Sequence, residues 1–260
     1  MITHLELELK LPENEKFRAN LAYALYGELC SRMPPPLADT LHEQSITPVR
    51  QHLRRGEAPD RCAWVLDLFG DAAELADFLC KWKQIELACC EAPLAVERCR
   101  VGEVSMPDLL QCGRNWPGNA PAEITFESPC TFKTAGEYVL FPTGDLIVRS
   151  LFARWNALIP DCSLDDPDAL QMLASGLRFR RYRLSSRDYW MKGQRIPGFV
   201  GTVQIAAHLP AAMLELWHLL LAFAPYSGVG VKPALGMGAV QIRPHLRISA
   251  NPAMDMEDDR

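Results

Sequence analysis

Between Ile2 and Lys10, leucines at 5, 7 and 9 alternate with Glu6, Glu8 and Lys10. A two-residue period of this kind marks a half-buried strand. The period then changes. Phe17, Leu21, Ala24, Leu25, Leu29 and Met33 return at helical spacing until Pro34-Pro35-Pro36 forbid continuation, which predicts a helix over residues 15–33. Strands are predicted over 45–53 and 62–69, a second helix over 71–85 with Leu75, Phe78, Leu79 and Trp82 on one side, and strand-like segments over 87–104.

The same order then recurs. The pattern predicts a strand over 125–133, a helix over 144–158, a strand over 177–184, a strand over 199–206, a helix entered at Pro210 and running to about Phe223, and a last strand over 236–246. Within 177–184 apolar and arginine positions alternate, but the alternation slips between Arg180 and Arg181, which requires a bulge. Residues 106–124 are rich in Pro, Gly and Asn and read as a linker. Two copies of βαββαβ make an α+β protein of two tandem ferredoxin-like domains, the topology of the RNA-recognition motif. The expected units are 1–105 and 125–248, followed by an acidic tail over 249–260. The copies share element order and no residue-level match.

Composition narrows the classes. Of 260 residues, 48% are hydrophobic, so a packed core is expected and disorder is not. Nine cysteines, an odd number without a C-x-x-C pair, suggest neither a disulfide framework nor a zinc site. No apolar run reaches the ~18 residues of a membrane helix, and Met1-Ile2-Thr3-His4-Leu5-Glu6 has no basic region followed by an apolar run, so a cytoplasmic protein with no membrane partner is expected. The net charge of −5 speaks against a general affinity for polyanions. Its distribution does not: Arg178, Arg180, Arg181, Arg183, Arg187, Lys192 and Arg195 face a single acid, Asp188, between residues 178 and 195. With Phe179 and Tyr182 interleaved, that segment suits a nucleic-acid backbone and a stacked base; arginines on an edge strand also serve to prevent unwanted pairing.

A second motif is the loop Ser227-Gly228-Val229-Gly230-Val231-Lys232-Pro233-Ala234-Leu235-Gly236-Met237-Gly238. Glycines at 228, 230, 236 and 238 allow close backbone approach, and the loop can offer N–H groups and Lys232 to a phosphate. It follows a helix and precedes a strand, whereas Walker and Rossmann loops run from strand to helix, so nucleotide hydrolysis and dinucleotide binding are disfavoured.

A helix, this G-x-G-x-K-x-x-x-G-x-G loop and a terminal strand resemble the C-terminal signature of the RAMP superfamily of CRISPR proteins. The resemblance extends to Phe126-Glu127-Ser128-Pro129-Cys130-Thr131-Phe132-Lys133, Phe141-Pro142, Ser150-Leu151-Phe152, Trp155-Asn156 and Gly198-Phe199-Val200-Gly201, which look like the CRISPR repeat-processing endoribonucleases. It covers residues 125–242 and implies two ferredoxin-like domains, CRISPR repeat RNA as partner, and no metal or other cofactor. It also implies attack by a 2′-hydroxyl on the adjacent phosphorus, leaving a 2′,3′-cyclic phosphate and a 5′-hydroxyl. Other effector-complex subunits are possible partners of such a protein.

The chemistry needs a proton carrier near neutral pH, which points to histidine. Family members place one just after the first helix, where His42 stands; His52, flanked by Arg50, Arg54 and Arg55, is second choice. By the same resemblance Tyr26, with Tyr23, occupies the position of a tyrosine on the first helix. The family's lysine has no counterpart in 43–55, and Arg50 is the nearest substitute. His4, His208, His218 and His245 read as structural. Two alternatives stay open: a RAMP scaffold that holds processed CRISPR RNA without cutting it, and a general single-strand RNA-binding module. No G-x-S-x-G or H-E-x-x-H pattern supports a hydrolase of another kind.

Overall fold

In the computed structural model, which describes residues 1–33 and 46–245, the chain forms two main antiparallel sheets in succession, with two short two-stranded ones beside them. The first half runs β1 (Ile2–Lys10), α1 (Leu21–Arg32), β2 (Val49–Arg55), β3 (Arg61–Phe69), α2 (Leu75–Cys80), β4 (Gln84–Ile85) and β5 (Leu94–Val104). Its sheet order is β2-β3-β1-β5-β4. The second half runs α3 (Met106–Arg114), β6 (Ala122–Cys130), β7 (Phe132–Thr134), β8 (Glu137–Val139), α4 (Gly144–Leu158), α5 (Pro167–Gly176), β9 (Leu177–Ser186), β10 (Tyr189–Met191), β11 (Gln194–Ile196), β12 (Phe199–Ala207), α6 (Ala211–Ser227) and β13 (Val240–Pro244). Its main sheet is ordered β13-β6-β12-β9. In each half the first and third strands of the series lie side by side, with the fourth outside the first and the second outside the third. That is the ferredoxin-like order expected from the sequence.

The alternation seen along β1 sorts the faces. Leu5, Leu7 and Leu9 join Trp64, Leu66 and Leu68 of β3 under Leu25 and Leu29 of α1 in one apolar core. The other face of that sheet, carrying His4, Glu6, Arg50, His52, Arg54 and Asp67, turns toward the second half and meets Glu127 of β6 and Gln241 of β13 around a cavity of about 280 Å³. A second core gathers Ile124, Phe126, Leu151, Trp155, Val203, Ile205, Trp217 and Phe223. The slip in β9 is a bulge at Arg180: Gln204 faces Arg181 and Ile205 faces Phe179, with Arg180 left over.

Four expectations are corrected. Residues 106–124 are not a simple linker, because Ser105 and Asp108 form a reciprocal capping box that starts α3, and Gly113 then packs against the backbone of His218 and Leu219. The Gly/Pro count hid a short helix whose N-cap was present in the sequence. The first helix begins at Leu21 rather than 15, and α6 continues through Pro225 to Ser227. Cys80 on α2 and Cys99 on β5 form a disulfide, a pair that sequence spacing could not single out. No described helix is long and apolar enough to cross a membrane.

Candidate functional site

The glycine-rich segment after α6 is packed rather than open. Val229 N–H donates to Gly238 O (2.9 Å), Gly238 N–H to Pro129 O (2.9 Å), Val231 N–H to Thr131 O (2.9 Å) and Gly230 N–H to Ser150 Oγ (2.8 Å). Gly228, Leu235, Gly236 and Met237 also spend their N–H groups inside the protein. The expected presentation of these N–H groups to a phosphate is therefore not the loop's arrangement. The glycines serve close packing instead: at Gly238 (φ +68°) an added Cβ would overlap Val229 O. What the loop does present is Lys232, exposed and in a left-handed conformation (φ 58°, ψ 42°) at its apex.

Lys232 stands where two cavities meet. The first, about 430 Å³, lies between Tyr23 and Tyr26 of α1, Thr47 and Arg50 at the start of β2, and Pro233–Leu235. The second, about 840 Å³, runs along Lys133 and Tyr138 of the β7–β8 hairpin and Asp145 and Arg149 of α4. Ile46, Arg154 and Lys232 line both, so the two form one cleft with basic walls. Helical spacing puts Tyr23 and Tyr26 on one side of α1. Burial pushes the Tyr26 hydroxyl above its usual range, reinforced by Cys30 one turn on.

The walls are held by residues that sequence reading passed over. Gln51, fully buried, accepts from Trp64 Nε1 (2.9 Å) and donates to Ala22 O (3.0 Å) and Ala234 O (2.9 Å), tying β3, α1 and the glycine-rich segment to β2. Tyr189 OH donates to Leu235 O from the other side (2.5 Å). A glutamine between Arg50 and His52 carries no motif, so only the fold reveals it.

The other candidates are scattered. Arg50 lines the first cavity, but its Nη1 donates to the buried carboxylate of Asp67 at 2.7 Å, which His4 Nδ1 also meets at 2.7 Å. His52 lies two residues on, outside the cleft and 3% exposed, with neither ring nitrogen hydrogen-bonded. Its Nε2 is 3.8 Å from Glu127 Oε2, too long for a hydrogen bond. Burial, with Arg50, Arg54 and His4 nearby, holds its pKa well below 6.5, so the ring is neutral. His42 lies outside the described residues.

Arg178, Arg180, Arg181 and Arg183 are exposed on β9, the edge strand of the second sheet, and Arg187, Lys192 and Arg195 are exposed beside it. Arg180 Nη2 is 3.2 Å from His208 Nε2, and Arg195 pairs with Asp188 at 3.5 Å. Lys192 alone of this group lines the first cavity. Tyr182, 65% exposed, stands edge-on to Phe141 at 5.4 Å. Among the described residues no three His, Cys, Asp or Glu side chains converge as a metal site.

Known proteins are similar to this chain in sequence and fold. The family model for the CRISPR-associated endoribonuclease Cas6 matches residues 124–240. A Streptococcus thermophilus protein of that name is 29% identical over 224 residues, 86% of this chain and 91% of the relative. A Mycobacterium tuberculosis counterpart is 25% identical over 252 residues, 92% of this chain and 77% of the relative. The structure of Thermus thermophilus Cas6 superposes with a TM-score of 0.74 at 24% identity, covering 94% of this chain and 98% of that one. A more distant RAMP protein described as binding different RNA substrates aligns at TM-score 0.62 and 13% identity, over 93% of this chain and 99% of its own, showing the same fold. With the glycine-rich segment, the paired ferredoxin-like sheets and this agreement along most of its length, the chain is similar to the Cas6 family of CRISPR-associated endoribonucleases.

Proposed function

We propose that this protein cuts precursor CRISPR RNA within its repeats, without a metal, by attack of the 2′-hydroxyl beside the scissile bond on the adjacent phosphorus. The phosphorus–oxygen bond to the leaving 5′-oxygen breaks, giving a 2′,3′-cyclic phosphate and a 5′-hydroxyl. The observation that carries this reading is the basic cleft between α1 and the glycine-rich segment, with two tyrosines on one wall and Lys232 at its centre. In such a reaction the protein aligns the hydroxyl with the leaving oxygen, moves two protons and stabilises the phosphorane.

His42 is the proposed proton carrier. Ile46, four residues after His42 in the sequence, lines the cleft. One of the solved Cas6 neighbours is a histidine-to-alanine mutant. Tyr26 faces the same cavity and supplies a hydroxyl that stays protonated at neutral pH. His52 is the weaker candidate because its ring is buried away from the cleft. Lys232 and Lys192 take the backbone of the RNA within the cleft, while the β9 arginines and Arg187 and Arg195 hold the flanking repeat by shape and charge. Gly228, Gly230, Gly236 and Gly238 contribute by setting the position of Lys232.

Two neighbours were solved as product complexes. Retention of the cut RNA, and its transfer to effector-complex subunits in the cytoplasm, extends the proposal. End-group analysis tests the chemistry: product 3′ ends blocked to ligation until the cyclic phosphate is removed, with 5′ ends that accept phosphate from a kinase, agree with it. Products bearing 5′-phosphates contradict it.

A further inference from the structure

The floor of the cleft contains a cation that no described carboxylate balances. Arg154, on α4, is 8% exposed and lines both arms of the cleft. A guanidinium has five N–H donors and always carries its charge in water. Here its one hydrogen bond among the described residues runs from Nη2 to Gly230 O; Nε has no partner, and no described carboxylate pairs with it. Arg50, lining the same cavity, differs because the buried carboxylate of Asp67 neutralises it. Burial and the like charge of Arg50 depress the Arg154 pKa to about 10, still leaving it charged at pH 7.

An unpaired buried charge is costly and persists when something outside the fold completes it. We propose that the guanidinium of Arg154 binds an RNA phosphate at the junction of the two arms, next to Lys232, and that this phosphate is the scissile one or its immediate neighbour. Planar N–H donors fit two phosphate oxygens at once, and a water-poor floor strengthens that contact beyond what an exposed lysine offers. Arg154 thereby takes the charge-stabilising part that the sequence suggested for Arg50. The same residue also holds Gly230 O, so phosphate binding and the position of Lys232 are coupled through one side chain. This inference rests on the cleft being the RNA site.

The test pairs a protein change with a substrate change. Repeat RNA in which a single phosphate is replaced by a neutral methylphosphonate is measured at the scissile position and at one position on either side. Wild type should lose roughly tenfold or more in affinity at one of these positions, the range for a hydrogen bond to a charged group. Arg154→Gln should be weak throughout and lose less than about twofold on the same replacement, and Arg154→Lys should keep part of the dependence. Melting temperatures of both variants separate this from unfolding. A role confined to Gly230 O predicts equal losses in wild type and Arg154→Gln at all three positions, and that result overturns the inference. RNA bound with this coupling but left uncut would keep the phosphate site and remove the nuclease reading, whereas cleavage without coupling would do the reverse.

Discussion

Gln51 donates a 2.9 Å hydrogen bond to the carbonyl of Ala234, across 183 residues of chain, from a position with no exposure to solvent. The same side chain reaches Ala22 O and Trp64 Nε1, so one amide fixes the distance between α1 and the glycine-rich segment and with it the width of the cleft. Gln51→Leu leaves the Ala234 carbonyl and the Trp64 indole N–H without their described partner and removes the tie to Ala22 O. Each buried orphan costs about 1–3 kcal/mol. Urea denaturation should show a loss of at least about 2 kcal/mol; a change below about 0.5 kcal/mol would mean that the clamp contributes little.

Glycine at 238 is dictated by contact as well as by backbone angle. Gly238→Ala must adopt φ near +68° while its Cβ meets Val229 O, whereas Gly118→Ala adopts φ +49° with nothing within 4 Å. The second change should cost about 1 kcal/mol from backbone strain alone. The first should cost more than twice that and displace Lys232. Equal melting temperatures for the two variants would contradict the packing described.

His52 gives a pH signature. Its folded pKa is depressed, so below about pH 6.5 the unfolded chain binds a proton that the folded protein refuses. Stability from this group is intact above that pH and is lost as pH falls below it, with a limiting slope of about 1.4 kcal/mol per pH unit. Arg50, Arg54, His4 and Glu127 surround the ring, and burial raises the Glu127 pKa. Denaturation of wild type and His52→Gln at pH 7.5 and 5.5 isolates the effect: the variant should be less sensitive to pH. Parallel losses would show that the ring can take up a proton in place.

Which parts of this could be read from the chain depends on whether the determinant is local. The period-two leucines of β1, the β9 slip at Arg180 and the helix over 144–158 are local patterns, and each appears where the pattern put it. The glycine-rich segment was conspicuous, but its N–H groups turn inward because Pro129, Thr131 and Ser150, remote in sequence, take them. Arg50 and Arg154 are both single arginines in ordinary contexts. Only the presence of Asp67 beside one and no described carboxylate beside the other distinguishes them. The Cys80–Cys99 pair and the Gln51 clamp are likewise products of tertiary contact.

The exposed arginines of β9 make a prediction about salt. Arg181→Ala combined with Arg183→Ala removes two exposed cations from the edge strand without disturbing a described ion pair. Each phosphate contact contributes about 0.7–0.9 to the slope of log affinity against log salt. If both contact repeat RNA, the slope should fall by about 1.5; an unchanged slope would assign them to preventing edge pairing.

The central claim is attack by the RNA's own 2′-hydroxyl without a metal. The direct measurement is single-turnover cleavage of repeat RNA in EDTA, beside the same RNA carrying one 2′-deoxy nucleotide at the cut site. Wild type should cut the first at an undiminished rate and leave the second intact though bound, and His42→Ala should bind the first and cut it at least about a hundredfold more slowly. Cleavage of the deoxy substrate, or its restoration by magnesium where EDTA had stopped it, would contradict the account.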